Sequence, residues 1–225
     1  GKAQATEDGE FHGGVLDVHL YIAGGLQIGD PAHTIDAALA PSDADVISRL
    51  DAFFGAVKEL FGVDRGQVTF HDIPESYRTI SSTEEYNALM AESRAAGDVQ
   101  AAHFFWVNVL ETYPGYSSWG QSSGIPGAAT FAGTPLSGVA LAIDPRFPAN
   151  GDGLTMAHEL GHFAGIFHTS ELIPGYFDPL SDTPECPGIT VEDYSGCPDK
   201  SNLMFPLYFG ATGGVGIVVS PSQAR

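Results

Sequence analysis

Apolar residues at Val46, Leu50, Phe53, Val57, Leu60 and Phe61 recur at the three-and-four spacing of a helix that lays one face on a core. Ser42 or Asp43 stands where that helix needs an N-cap, and Gly62 stands where it must end. Upstream, Val15 to Ile22 alternates in part and predicts a first strand. Residues 67–73 predict a second strand and 82–92 a shorter helical segment, while the aromatic and β-branched run 100–110 predicts a central strand. Residues 114–135 are rich in Gly, Ser, Pro and Ala, with Tyr116, Trp119 and Phe131 among them, and predict a long loop. A loop of that length in a compact domain needs a reason, and a substrate-facing role supplies one. The apolar run 138–143 predicts the strand that lines the upper edge of a cleft. A last helix is predicted from about Leu154 to Gly165, with Ala157, Leu160 and Phe163 on its packed side. Beyond it, Pro174, Gly175, Pro179, Pro184, Pro187, Gly188, Gly196 and Pro198 exclude a long regular element.

Length and composition narrow the function. A chain of 225 residues buries a sizeable core in one domain or two joined lobes. With 28 acidic and 9 basic groups the net charge is −19, which argues against nucleic acid and against anionic membranes, both of which need cationic surfaces. No stretch approaches 18 apolar residues, so no membrane span is expected. Gly1 to Asp8 is polar and lacks an initiator methionine, so the expectation is a processed or expressed fragment without its leader and without an inhibitory pro-segment.

The chemistry concentrates in His158-Glu159-Leu160-Gly161-His162-Phe163-Ala164-Gly165-Ile166-Phe167-His168. Four-residue spacing puts His158 and His162 on one helical face, where two imidazoles can share an ion. Glu159 is turned about 100° away and can reach a water on the open side of that ion. His168 does not return to the same face of a straight helix. Gly165 resolves this, because a glycine can take positive φ, end the helix and send His168 back from a new direction. Three protein ligands and one open position form the catalytic pattern of zinc, whereas four ligands would indicate a structural site.

His158, Glu159, His162, Gly165 and His168 together resemble the long zinc signature of the metzincin metallopeptidases. Asn202-Leu203-Met204-Phe205-Pro206 is similar to their Met-turn, in which the methionine (here Met204) forms an apolar floor beneath the histidines. Within the metzincins, His168-Thr169, Ser181-Asp182-Thr183-Pro184-Glu185-Cys186 and Cys197-Pro198-Asp199 most resemble the pappalysin group. The resemblance implies an α+β fold: an α/β/α-like upper lobe with a mixed, mostly parallel twisted sheet and two main helices, and an irregular C-terminal lobe. It implies a single catalytic domain over 1–225, divided into an upper subdomain 1–165 and a lower one 166–225 that carries the Met-turn. It implies one catalytic Zn²⁺ on His158, His162 and His168, Glu159 as general base, and an extended protein or peptide substrate. It also implies a secreted, periplasmic or cell-surface location.

Several assignments stay open on the residues alone. Asp178, Asp182, Thr183 and Glu185, with Glu192 and Asp193 nearby, offer enough hard oxygens for a structural Ca²⁺ or form a plain acidic surface. Cys186 and Cys197 read first as a disulfide, whose short loop would contribute about 2–3 kcal/mol, and second as two buried thiols. Several metzincins place a tyrosine two residues beyond the Met-turn methionine; this chain has Pro206 there, and Tyr208 is the candidate replacement near the transition state or cleft. His12, His19, His33, His71 and His103 read as ordinary core or surface residues. A zinc-stabilised binding module without turnover, or a narrow exopeptidase or amidase, are the competing functions.

Overall fold

Asp43 fixes where the first long helix begins. Its carboxylate accepts hydrogen bonds from the Asp45 and Val46 N–H groups, and α1 (Ala44–Phe61) runs from there to Gly62, whose φ of 68° closes it. The computed structural model describes residues 14–97, 101–112, 115, 117–128, 131–173, 175–190, 193–207 and 216–224. Five strands, β1 (Val15–Ala23), β2 (Asp64–Ile73), β3 (Ala102–Val107), β4 (Gly120–Ser122) and β5 (Val139–Ala142), form one sheet in the order β2-β1-β3-β5-β4. All neighbours are parallel except β4, which runs antiparallel to β5.

The two-residue period of β1 sorts its side chains between two cores. Val18, Leu20 and Ile22 join Phe104 and Trp106 of β3 in a core shared with Phe53 and Val57 of α1 and with Met156 and Phe163 of α3 (Ala149–Ala164). Tyr21 and Ala23 join Phe105 and Val107 in a second core with Tyr86, Leu89 and Met90 of α2 (Thr83–Ala91). The result is a mixed, mostly parallel sheet flanked by helices, the α+β architecture expected. No helix among the described residues is long and apolar enough to cross a membrane.

Two expectations are corrected. The strand predicted over 138–143 is β5, but it lies between β3 and β4 rather than at the edge. The edge strand on that side of the sheet is β4, three residues inside the segment that composition marks as loop. The last helix starts at Ala149, five residues before Leu154. The run Asn150-Gly151-Asp152-Gly153 has poor helix propensity, and tertiary contacts override it. Gly153 lies so close to α1 that a Cβ would sit 2.6 Å from the Ala52 Cβ and 2.7 Å from the Phe53 nitrogen. Asp152, 2% exposed, takes a 2.6 Å hydrogen bond from Arg49 Nε, and Arg49 also donates to the Asp45 and Phe147 carbonyls.

His19, His71 and His103 lie on the α2 face of the sheet as a stack, with ring centroids of His19 5.0 Å from His71 and 5.3 Å from His103. His19 Nδ1 lies 2.7 Å from His71 Nε2, and Tyr21 Oη lies 3.0 Å from His103 Nδ1. Burial lowers all three, with His103 brought down to about 4. His33 is on the surface and pairs with Asp43 at 2.7 Å.

Burial pushes the Asp152 carboxyl up from 3.8 to about 7, against the pull of the Arg49 guanidinium. Arg49→Ala removes that pull, so the folded-state value rises further above the unfolded one. The folded protein then holds more protons than the unfolded chain above about pH 4, and stability falls as pH rises through that window. Urea unfolding should show a loss of about 3–5 kcal/mol near neutral pH or above. The loss should be smaller in mild acid; one independent of pH would separate Asp152 from the effect.

Candidate metal centre

Helix α3 presents His158 and His162 one turn apart, and Gly165 ends it at φ 106° with its N–H on the Gly161 and His162 carbonyls. The chain turns back there, and His168 Nε2 comes to 3.2 Å from His158 Nε2 and 2.9 Å from His162 Nε2. The conflict between a six-residue offset and a single helical face is resolved by the glycine, as its position in the motif predicts.

The other ring nitrogens decide which atoms converge. His158 Nδ1 lies 2.6 Å from the Leu203 carbonyl, and His162 Nδ1 lies 2.7 Å from the Ile166 carbonyl. Carbonyl oxygens only accept, so both Nδ1 atoms carry the proton and both Nε2 atoms present a lone pair. His168 Nδ1 lies 2.9 Å from Glu171 Oε1, which gives the third ring the same arrangement. Three lone pairs thus point into one space, and nitrogens about 2.0–2.1 Å from a tetrahedral ion are themselves about 3.3 Å apart. The donor set and its spacing fit a divalent metal of the zinc type.

Burial holds His158 well below the ordinary histidine value, with His162 and His168 adding to the effect, and it brings His162 down to about 4. Neutral imidazole is the form that ligates. Glu159, 7% exposed, is raised by burial to about 8, and a hydrogen bond from the Ser122 N–H opposes that shift. Glu171 is held below its ordinary value first by its hydrogen bond to His168.

The floor and the roof come from distant segments. Met204 is fully buried under α3, and a Cβ at Gly161 would fall 2.6 Å from its Sδ. Its carbonyl accepts from Thr169 N, so the turn whose Leu203 carbonyl accepts from His158 also holds the chain just after His168. Above, β4 passes so close that a Cβ at Gly120 would lie 2.6 Å from Glu159 Cγ. Trp119 and Ser123 bond toward β5, which turns the main-chain groups of Gly120 and Ser122 to the open side. Tyr86 Oη donates to the Gln121 carbonyl and pins β4 from the α2 side.

Of the oxygens proposed for calcium, Asp178 and Thr183 meet at 2.5 Å, whereas Asp182 instead accepts from Ser220 Oγ and Ser222 N. Glu185 is exposed, Asp193 bonds to Thr190, and Glu192 lies outside the described residues. Tyr208 and the 208–215 stretch that follows the Met-turn also lie outside them. Cys186 and Cys197 are joined by a disulfide. Two other groups of possible ligands occur among the described residues. One, Cys186, Cys197 and Asp199, has its sulfurs bonded to each other; in the other, with Asp45, His33 pairs with Asp43, which caps α1. Sequence reasoning missed Gly120, Ser122 and Glu171. The only signals were a glycine inside a polar loop and a carboxylate three residues after the third histidine.

No family model and no curated protein matches this chain. Among solved structures, the archaemetzincin of Methanopyrus kandleri is similar over 93% of this chain and 91% of its own, with a TM-score of 0.51 and 16% identity. Metalloproteinase-II from Bacteroides fragilis is similar over 73% of this chain and 47% of its own, with a TM-score of 0.40 and 16% identity. A chaperone-substrate complex is similar over 72% of this chain and 26% of its own, with a TM-score of 0.42 and 12% identity. At the first of these values the likeness concerns the fold. Fold and site together define a metzincin-like α+β architecture around a three-histidine cluster able to hold a metal ion. They are consistent with metal-dependent hydrolysis, and they do not single out the pappalysin group.

Gly161→Ala tests the floor. In an exposed helix this change gains about 0.5–1 kcal/mol. Here the added methyl meets Met204 Sδ, so the variant should instead lose about 1–3 kcal/mol in urea unfolding. Made in a Met204→Ala background, where the Sδ it meets is gone, the same change should cost less.

Proposed function

We propose that this protein is a zinc-dependent endopeptidase in which His158, His162 and His168 hold the metal and Glu159 is the general base. The observation that carries the reading is the convergence of three Nε2 lone pairs beside a buried carboxylate, beneath an open sheet edge. Zn²⁺ on this donor set would supply a Lewis acid that polarises a carbonyl and acidifies water.

The chain's own residues account for the rest. Glu159 takes a proton from the attacking water and returns it to the departing amine, so no covalent enzyme intermediate is needed. Ser122 N–H holds that carboxylate in place from β4. The outward main-chain groups of Gly120 and the Ser122 carbonyl pair with an extended peptide by strand addition, which keeps the scissile bond straight across the site. A strand bound through its backbone is held in its interior, which favours endopeptidase over exopeptidase cleavage. The Cys186–Cys197 disulfide suits an oxidising, extracellular or periplasmic location. The pappalysin-like character rests on the Asp182-Thr183-Pro184 and Cys197-Pro198-Asp199 motifs.

A structural Ca²⁺ is proposed at Asp178. Its Oδ1 accepts from Leu180 N and from Thr183 Oγ1, while its Oδ2 is buried with no protein hydrogen-bond partner. Thr183 Oγ1 has one proton for two acceptors, Asp178 Oδ1 and the Leu180 carbonyl at 3.1 Å. The unpartnered Oδ2, with the acceptor that Thr183's single proton leaves unserved, fits a hard cation.

Zinc-loaded wild type should cut an unfolded protein substrate into internal fragments detectable by mass spectrometry, and Glu159→Ala should give none while retaining zinc and fold. Cleavage confined to chain ends would replace the endopeptidase reading with an exopeptidase one. Retained zinc with no cleavage by either protein would favour a binding role. For calcium, added Ca²⁺ should raise the melting temperature of wild type after EGTA treatment and leave Asp178→Asn unmoved. A flat response in wild type would remove calcium from the reading.

A further inference from the structure

We infer that Glu171 is the positioning residue for the third metal ligand, and this rests on the metal reading above. The three ligand rings are held by different means. His158 and His162 give their Nδ1 protons to main-chain carbonyls, at Leu203 and Ile166, and both rings sit on a helix. His168 sits on irregular chain, its side chain is 23% exposed, and its Nδ1 partner is the side chain of Glu171. Its orientation therefore depends on another side chain.

Glu171 is itself fixed. Its N–H donates to the Tyr176 carbonyl at 3.0 Å, and the neighbouring Ser170 bridges to Phe177, so a small hairpin sets the direction of the carboxylate. From there Oε1 reaches His168 Nδ1 at 2.9 Å, three residues back along the chain. Two consequences follow from an acceptor at this place. The proton stays on Nδ1, which leaves the Nε2 lone pair for the metal. The ring is also held with that lone pair toward His158 and His162, at 3.2 and 2.9 Å. Without an acceptor, His168 can take the other tautomer or rotate toward solvent, and the cluster falls to two ordered donors.

The test is zinc affinity by competition with a chromophoric chelator, on the full chain, for wild type, Glu171→Ala and Glu171→Gln. Glutamine keeps an acceptor oxygen for the Nδ1 proton and removes the charge. Glu171→Ala should bind zinc about 10–100-fold more weakly, the range for losing an outer partner of a ligand histidine. Glu171→Gln should recover most of that loss, and the Co²⁺-loaded visible spectrum should follow the same order. The metal-free proteins should melt together. Wild-type affinity in Glu171→Ala would overturn the inference, as would a glutamine variant no better than alanine. A metal-free melting point lowered equally in both variants would assign Glu171 to the fold instead. Failure of wild type itself to bind zinc would remove the metal centre, and the inference with it.

Discussion

Three imidazole lone pairs that meet, with His168 Nε2 3.2 Å from that of His158 and 2.9 Å from that of His162, repel unless a cation sits among them, and much of this structure serves to keep them there. Each ring must be locked at its far nitrogen, so each needs an acceptor at a defined point in space. Two of the acceptors are carbonyls, and a carbonyl is placed only by placing the chain. Ile166 offers its oxygen because Gly165 takes φ 106° and ends the helix at that point. Leu203 offers its oxygen because the turn at 202–205 is tied by Met204 N to Asn202 Oδ1 and by Phe205 N to the Asn202 carbonyl. The ligand geometry is therefore a property of turns as much as of the helix that carries the motif.

Those turns would not help if α3 could slide. Gly153 permits backbone-close contact with α1, and the Arg49–Asp152 pair fixes the position of the contact along the helix. Arg49 is 1% exposed, so its charge is held by Asp152 and by the Asp45 and Phe147 carbonyls rather than by water. Breaking such a pair is costly because it strands a buried charge, and here that cost falls at the start of the helix that carries two ligands. On the other side of the sheet, Tyr86 grips β4 through Gln121, so α2 sets the roof over Glu159 as α1 sets the helix beneath it.

What could be read beforehand was written in side chains. The spacing of His158, Glu159, His162, Gly165 and His168 carries its own geometry, and Val46, Leu50, Phe53 and Val57 with Asp43 and Gly62 define α1 at both ends. What stayed hidden was written in backbone contacts. Residues 120–122 have no β-propensity to mark them, and become an edge strand because Trp119 and Ser123 find partners on Ala142 and Gly138. The segment 149–153 looks like a loop until Arg49 and the surface of α1 are present. Asp182 is grouped with Asp178 by sequence, but Ser220 and Ser222, 38 and 40 residues along the chain, take it instead. Such long-range partners leave no local periodicity.

The described residues after His168 show how a site can be held without regular secondary structure. Asp199, 3% exposed, accepts the hydroxyls of both Thr169 and Ser170, and Ser170 Oγ in turn accepts from Cys186 N. The disulfide at Cys197 joins that network to the stretch leading into the turn, where Asn202 N bonds to the Asp199 carbonyl and Asn202 Nδ2 to Gln223. These contacts converge on the two points that matter, the chain just beyond His168 and the carbonyl that holds His158. A ladder of strand bonds would spread stability along a segment. A buried carboxylate that gathers several donors concentrates it at one place, and the cost of burying that charge is offset only while every donor stays in position. An irregular segment organised in this way is rigid where it touches the ligands and can vary elsewhere. This separates the geometry of the metal centre from the loops that surround it.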